Sequence, residues 1–364
     1  MPSLPICGAF HGEVENRVPF ALMTQNPALR LWLLPSMAIA ATDPHVSQSD
    51  SLQLDLGWAI LPSATKVPNI MSTAAPVPYI LAPDPDRQGL TRRLLGRDHT
   101  GAEVELSVVE ERPLTIWLNA REIVTAMTIG DYPEYLALGF LRNQGMLPDG
   151  ITVTAVDYDD YAEAVVVRTD QITDYEDKLA RKTRTSGCAV GTVFGDMMEG
   201  LADITLPDAP LRTSWLYALS KRINTTPSLY LEAGAIHGTV LCQEDRALVF
   251  MEDVGRHNAV DKVAGWMFSN KVDGGDKILY TTGRLTSEMV IKAAHMGIPT
   301  LVSRSGFTAW GASIAQRLGM TLIGRLRGQR FVCLSGEERL IRDADLAHVA
   351  HESSRSGRKG ADHD

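Results

Sequence analysis

Cys188 sits in RKTRTSGCAVGTVFGD (residues 181–196), shortly after Arg181, Lys182 and Arg184 and among Gly187, Gly191 and Gly195. A free thiol with a pKa of about 8.5 is only a few per cent thiolate at neutral pH, and nearby positive charge raises that reactive fraction. The setting suits a nucleophilic sulfur; the alternative is a small buried residue, the usual role of a lone cysteine. Cys242 in GTVLCQEDRALVF and Cys333 in RFVCL occupy strand-like positions where packing is expected, and Cys7 lies in an N-terminal stretch of a different character. No two of the four cysteines have the spacing of a zinc site or redox pair.

A second concentration of chemistry is EDVGRHNAVDK, which places Glu252, Asp253, Arg256, His257, Asn258, Asp261 and Lys262 directly after apolar ALVFM. Such density suits a ligand or a proton-transfer site, or else a helix start with a solvated polar face. His237 in GAIHG has the same two readings. In TTGRLTSEM, Gly283 and Arg284 join a strand to a helix that Thr286 or Ser287 can cap, so backbone N–H groups and a guanidinium can meet an anion. SRSGFT repeats the arrangement with Ser303 and Ser305. In GRLRGQR, the run Arg325, Leu326, Arg327, Gly328, Gln329 and Arg330 can grip phosphates bidentately. Each segment alone matches an ordinary turn; three in succession on one sheet favour a nucleotide-like or pterin-dinucleotide ligand.

The elements that must position these residues follow from periodicity. Between residues 104 and 129, β-branched residues form extended segments around turns at residues 111–113 and 119–122. Asp131 and Glu134 have capping-box spacing ahead of an apolar helical face, and Gly145 stands where that helix should stop. ITVTAVDY and EAVVVRTD form a predicted hairpin. KILYTTG, GIPTLVSRSG and TLIGRLRGQRFVCL read as strands with helices SEMVIKAAHMG and TAWGASIAQRLGM between them. The expected fold is α/β: an α+β N-terminal unit over residues 100–180, then an α/β domain with a mixed sheet over residues 181–345. Residues 1–95 lack a sustained period and read as a poorly ordered leader, and residues 346–364 as a solvated tail. One reading starts the natural chain at Met71, which opens a proline-rich leader, with residues 1–70 untranslated.

A length of 364 residues suits two domains, and 45% hydrophobic with 22% charged residues is ordinary for a globular protein. The formal net charge of −9 disfavours nonspecific nucleic-acid binding. His11 and Glu13 interrupt the apolar run a secretory signal needs, and the apolar stretch at residues 31–41 contains Pro35 and is too short to span a bilayer. A cytoplasmic protein without membrane segments is expected.

The segments PLTIWLNAREIV, DYPEYLALGFLRNQGM, TSGCAVGT, GAIHG, EDVGRHNAVDK, TGRLTSEMVIKAA with GIPTLVSRSG, and LIGRLRGQRF occur in the order found in one family. From about residue 105 to about residue 340 the chain resembles the FdhD family of formate dehydrogenase accessory sulfurtransferases. The resemblance implies a cytidine-deaminase-like C-terminal domain and a homodimer. It implies transfer of persulfide sulfur from a cysteine desulfurase to molybdenum in a bis(molybdopterin guanine dinucleotide) cofactor. Carried over residue by residue, it makes Cys188 the persulfide carrier and residues 325–330 the cofactor-binding match, and it favours Arg284 and residues 303–305 as phosphate or guanine contacts. Many members carry a second cysteine three residues on, where this chain has Gly191. Internal disulfide resolution is thereby lost, while a single thiolate still suffices to take up and release sulfur. The competing reading is a noncatalytic chaperone that binds and inserts the cofactor. A zinc deaminase would need H-x-E and P-C-x-x-C ligands, and only His11 and Glu13 approach that pattern, without a cysteine pair.

Overall fold

The computed structural model describes residues 78–171 and 200–344. In the first part, β1 (Thr91–Arg97) and β2 (Glu103–Val109) form a separate hairpin. β3 (Arg112–Leu118), β4 (Arg121–Thr128), β5 (Val153–Asp159) and β6 (Ala164–Thr169) make a sheet in the order β4-β3-β6-β5, covered by α1 (Pro133–Asn143). Leu114, Ile116 and Leu118 alternate along β3 and meet Val165 and Val167 of β6 beneath Leu136, Ala137, Leu138 and Leu141 of α1. This is the period of two expected of a sheet with one buried face.

The second part contains β7 (Leu211–Arg212), α2 (Thr213–Thr225), the short α3 (Leu229–Glu232), β8 (His237–Gln243), β9 (Arg246–Asp253), α4 (Arg256–Asn270), β10 (Ile278–Thr281), α5 (Ser287–His295), β11 (Thr300–Ser303), α6 (Ala309–Arg317), β12 (Thr321–Arg327), β13 (Arg330–Ser335) and β14 (Leu340–Ile341). Six of these strands form a mixed sheet, β13-β12-β11-β10-β8-β9, in which β10, β11 and β12 are parallel. Its central strands are apolar on both faces. Leu241, Leu279, Leu301 and Leu322 pack against α4, α5 and α6, while their neighbours Val240, Tyr280, Val302 and Ile323 pack beneath α2. The predicted α/β class with a mixed sheet is what the chain adopts. The expected domain boundary near residue 180 lies outside the described residues, as do Met71 and the tail at residues 346–364.

Three local expectations are corrected. Residues 78–95, assigned to the leader, are structured: Ile80 N–H donates to Leu248 O (2.8 Å) and Phe250 N–H to Leu81 O (2.9 Å), covering the free edge of β9. A segment that only lines a sheet edge tolerates prolines and needs no long period of its own. TLIGRLRGQRFVCL is not one strand but the hairpin of β12 and β13, with Gly328 (φ 58°) in its two-residue turn. Asp131 caps nothing: the α1 N-cap is Tyr132, with left-handed backbone and no side-chain cap. The Asp131 carboxylate instead pairs with the buried Lys262 ammonium of α4.

α1 and α4 bring the two sheets together at backbone distance. A Cβ on Gly139 would lie 1.7 Å from Asp261 O, and one on Gly265 would lie 1.9 Å from Tyr135 O. Only glycine permits this crossing. Around it lie buried polar pairs. Lys262 Nζ contacts Asp131, Asp253 Oδ2 (2.6 Å) and Glu252 O (3.0 Å), and Thr128 Oγ1 donates to Asp253 Oδ2 (2.5 Å). Lys292 Nζ binds both oxygens of Asp261 (2.8 and 2.6 Å), which also accepts from Asn143 Nδ2 (2.7 Å).

Candidate functional site at the sheet edge

Strand direction decides which predicted residues meet. β9, β10, β11 and β12 end at one edge of the six-stranded sheet and β8 begins there, because β8 runs antiparallel to both its neighbours. α4, α5 and α6 start from the turns that follow β9, β10 and β11, so their positive dipole ends gather at this edge. Across it, His237 pairs with Asp253, Thr239 with Thr281, and Thr281 with Ser303. Arg325 N–H donates to Ser305 O (2.7 Å), joining the β12 residues to the same row. Arg256, His237, Arg284, Ser303, Ser305 and Arg325 are therefore brought together from five separate segments.

Their side chains differ in what they can reach. Arg256 is buried and lies against the β10 turn, where a Cβ on Gly283 would stand 3.0 Å from Arg256 Cβ. Arg284, Arg325, Arg327 and Arg330 are exposed. Arg325 has a left-handed backbone (φ 55°) within a register shift between β12 and β13. For a residue with a Cβ that conformation costs roughly 1–2 kcal/mol, and here it keeps both Arg325 and Arg327 on the solvent side. Leu326 between them is fully buried in the core beneath α2, which leaves only its backbone for a ligand. Gln329 occupies the hairpin turn beside Gly328.

The turns themselves use their polar groups on one another. Ser303 is fully buried; its hydroxyl donates to Gly283 O (2.6 Å) and accepts from Ser305 N–H (2.9 Å). Gly283 N–H donates to Thr281 Oγ1 (3.1 Å), Leu285 N–H to Gly306 O (2.9 Å) and Thr286 N–H to Arg284 O (3.1 Å). The expectation that these amides face an anion is thus corrected for Gly283, Leu285, Thr286 and Ser305. Thr286 occupies the N-cap position of α5 but makes no side-chain cap. What remains to attract an anion is a set of guanidinium groups, the helix dipoles and His237.

His237 Nδ1 lies 3.4 Å from Thr282 Oγ1. Partial burial, then the charges of Arg256 and Arg284, hold its imidazole below the ordinary histidine range, which favours the neutral ring. His257 turns inward, with Nε2 3.0 Å from Glu288 Oε2, and burial likewise holds it low against the pull of that carboxylate. It borders a cavity of about 300 Å³ lined also by Asn258, Asp261 and Lys292. Most of EDVGRHNAVDK is neither a solvated face nor an open ligand site: Asp253, Asp261 and Lys262 are buried in ion pairs. Glu252 accepts from Leu229 N–H and Tyr230 N–H (both 2.9 Å), and burial pushes its carboxyl up to about 7 against those two donors. Sequence reasoning missed Thr281, Thr282 and Thr239, whose hydroxyls stitch β8 to β10; the TT pair ahead of Gly283 was the available signal. Among the described residues no group of three or more His, Cys, Asp or Glu is placed to hold a metal ion. Cys188 and its loop lie outside the described residues.

A profile of the FdhD/NarQ family matches residues 109–341. The chain belongs to the FdhD/NarQ family. Among relatives, the sulfur carrier protein FdhD of Wolinella succinogenes is 32% identical over 243 residues, covering 65% of this chain and 83% of the relative. The protein of the same name from Listeria monocytogenes is 28% identical over 250 residues, covering 66% and 94%. A crystal structure assigned as a formate dehydrogenase accessory protein from Desulfotalea psychrophila matches with a TM-score of 0.56 at 29% identity, covering 69% of this chain and 98% of that one. The FdhD/NarQ span contains Cys188 and every residue gathered at the sheet edge, whereas Cys7 falls outside it.

Proposed function

We propose that this FdhD/NarQ chain accepts sulfur from a cysteine desulfurase on Cys188 and passes it to the molybdenum of a bis(molybdopterin guanine dinucleotide) cofactor during maturation of a formate dehydrogenase. The observation that carries the reading is the convergence of Arg256, Arg284, Arg325 and His237 at one sheet edge. Guanidinium groups grip diphosphates bidentately, and Arg327 and Arg330 extend the cationic surface along the hairpin. The cofactor is cargo, held by these side chains.

The sulfur half rests on elimination and on the relatives' names. Cys242 is fully buried and burial pushes its thiol far up, while Cys333 is half-buried, is raised by the same cause, and its thiol contacts Ser335 O (3.2 Å). Burial disfavours the reactive thiolate at both. Cys188 is the remaining cysteine within the family span. Its thiolate attacks the outer sulfur of the donor's persulfide, forming a new S–S bond as the donor's S–S bond breaks and the donor thiolate leaves; the outer sulfur, at the zero oxidation level, then passes to reduced molybdenum, which supplies the two electrons that make it a sulfido ligand, while the Cys188 S–S bond breaks to return the thiolate. Gly191 leaves no internal resolving thiol, which favours a direct hand-over and keeps the cofactor chaperone as the second reading. The proposed setting is the cytoplasm, with the chain acting as a homodimer. No helix among the described residues is long and apolar enough to cross a membrane.

Incubation with a cysteine desulfurase and cysteine is expected to add one sulfur to the Cys188 peptide in mass spectra; sulfur on Cys242 or Cys333 alone would overturn the transfer reading. For the cofactor half, Arg327→Glu is expected to weaken guanosine diphosphate binding about tenfold or more, since it removes charge-assisted contacts and adds repulsion. Arg93→Glu, on the separate hairpin where Arg93 pairs with Glu105 at 2.9 Å, should leave binding unchanged. Equal losses in calorimetry would mean that the arginine hairpin is not the site.

A further inference from the structure

We infer that Thr282 is a positioning residue that fixes the tautomer of His237, so that the neutral ring offers an Nε2–H donor to the phosphate-bearing ligand of the sheet edge. The inference rests on the proposed anion site but begins from hydrogen-bond accounting that needs no ligand. Thr282 Oγ1 accepts from Gly238 N–H (3.0 Å), and Thr282 N–H donates to Gly238 O (2.9 Å). The threonine is thereby clamped to the start of β8. Its hydroxyl keeps one proton to donate, and His237 Nδ1 at 3.4 Å is the ring nitrogen beside it, an acceptor in the Nε2–H tautomer. With the hydroxyl donating to Nδ1, the ring's own proton resides on Nε2.

Two neighbours strengthen the arrangement. Gly238 carries no side chain, and a Cβ there would meet the Phe250 ring at 2.6 Å, so β8 lies tight on the core and carries His237 with it. Partial burial, then Arg256 and Arg284, disfavours a second proton on the ring, with His257 adding to the effect and Asp253 opposing it. A neutral N–H donor set among guanidinium groups suits recognition at one defined oxygen of an anion, where more charge alone would give no direction. Nothing in the family resemblance or in the relatives' names gives Thr282 a role.

The test is the tautomer itself, read from the nitrogen chemical shifts of ¹⁵N-histidine-labelled full-length protein. The expected result is a neutral His237 with its proton on Nε2, retained in Thr282→Ser and scrambled between the two nitrogens in Thr282→Val. A proton on Nδ1 in the unmodified protein, or an unchanged tautomer in Thr282→Val, would overturn the inference. Guanosine diphosphate binding gives the second readout. His237→Gln, whose amide can reach the Nε2 position, should stay within about threefold of the parent, while His237→Leu should lose about tenfold, the worth of one hydrogen bond to a charged group. Affinity should not rise as the pH falls from 8 to 6; a rise would mean that the ring acts as a cation. If the parent protein binds no nucleotide, the anion site fails while the tautomer still decides the role of Thr282.

Discussion

A Cys188→Ser chain is expected to leave formate dehydrogenase inactive when it replaces the factor in a strain lacking its own, while still binding guanosine diphosphate as the parent does. Serine keeps the size and polarity of the side chain, but its hydroxyl does not ionise near neutral pH and forms no persulfide. Binding and transfer therefore separate in one substitution. Enzyme activity in the complemented strain, read beside calorimetry on the purified variant, checks both halves. Full maturation by Cys188→Ser would make the thiol dispensable and establish the chaperone reading, whereas loss of nucleotide binding would show that the change reached beyond the sulfur.

The largest effect on stability is expected at Lys262. Replacing it by methionine preserves much of the stem but removes the ammonium that lies between Asp131 and Asp253, both buried. Burial alone pulls Lys262 down, yet the two carboxylates outweigh it and hold the ammonium above the ordinary lysine value. Asp131 is raised by burial even with Lys262 in place. Removing one partner of a buried pair costs about 3–5 kcal/mol, a large share of the roughly 5–15 kcal/mol that stabilises a typical domain. The pH dependence carries a sign. A carboxyl whose folded pKa is raised, as that of Asp131 is, binds a proton on folding, so its penalty is absent below the unfolded value near 4 and grows as the pH rises toward the folded value. Urea denaturation of Lys262→Met should show a deficit that shrinks on acidification from pH 7 to pH 5; a constant deficit would assign the loss to packing.

How much of this could be read in advance depends on the range of the interactions. The central strands of the six-stranded sheet were legible because both faces are buried and whole runs are apolar, and the α1 face was legible from Leu136, Leu138 and Leu141. The stop at Gly145 was legible too, since its φ of 69° favours glycine. Asp131 was misread because capping is a local rule, while its actual partner is 131 residues away. The polar run of EDVGRHNAVDK has the same history, for its carboxylates and lysine face Thr128 of β4, Asp131 of the turn after it and Asn143 of α1. The three anion-ready turns were found by composition. That their amides would bond to one another could not be seen, because it depends on the register of β10 against β11.

The crossing of α1 and α4 has a mechanical consequence. Helices that slide past each other do so across a layer of side chains able to change rotamer, and Gly139 and Gly265 eliminate that layer. Shear between the two sheets is therefore blocked at this point, and the pair should behave as one rigid body. Cooperative melting of both sheets in a single transition follows, with hydrogen exchange in β3 and β10 slowing and opening together.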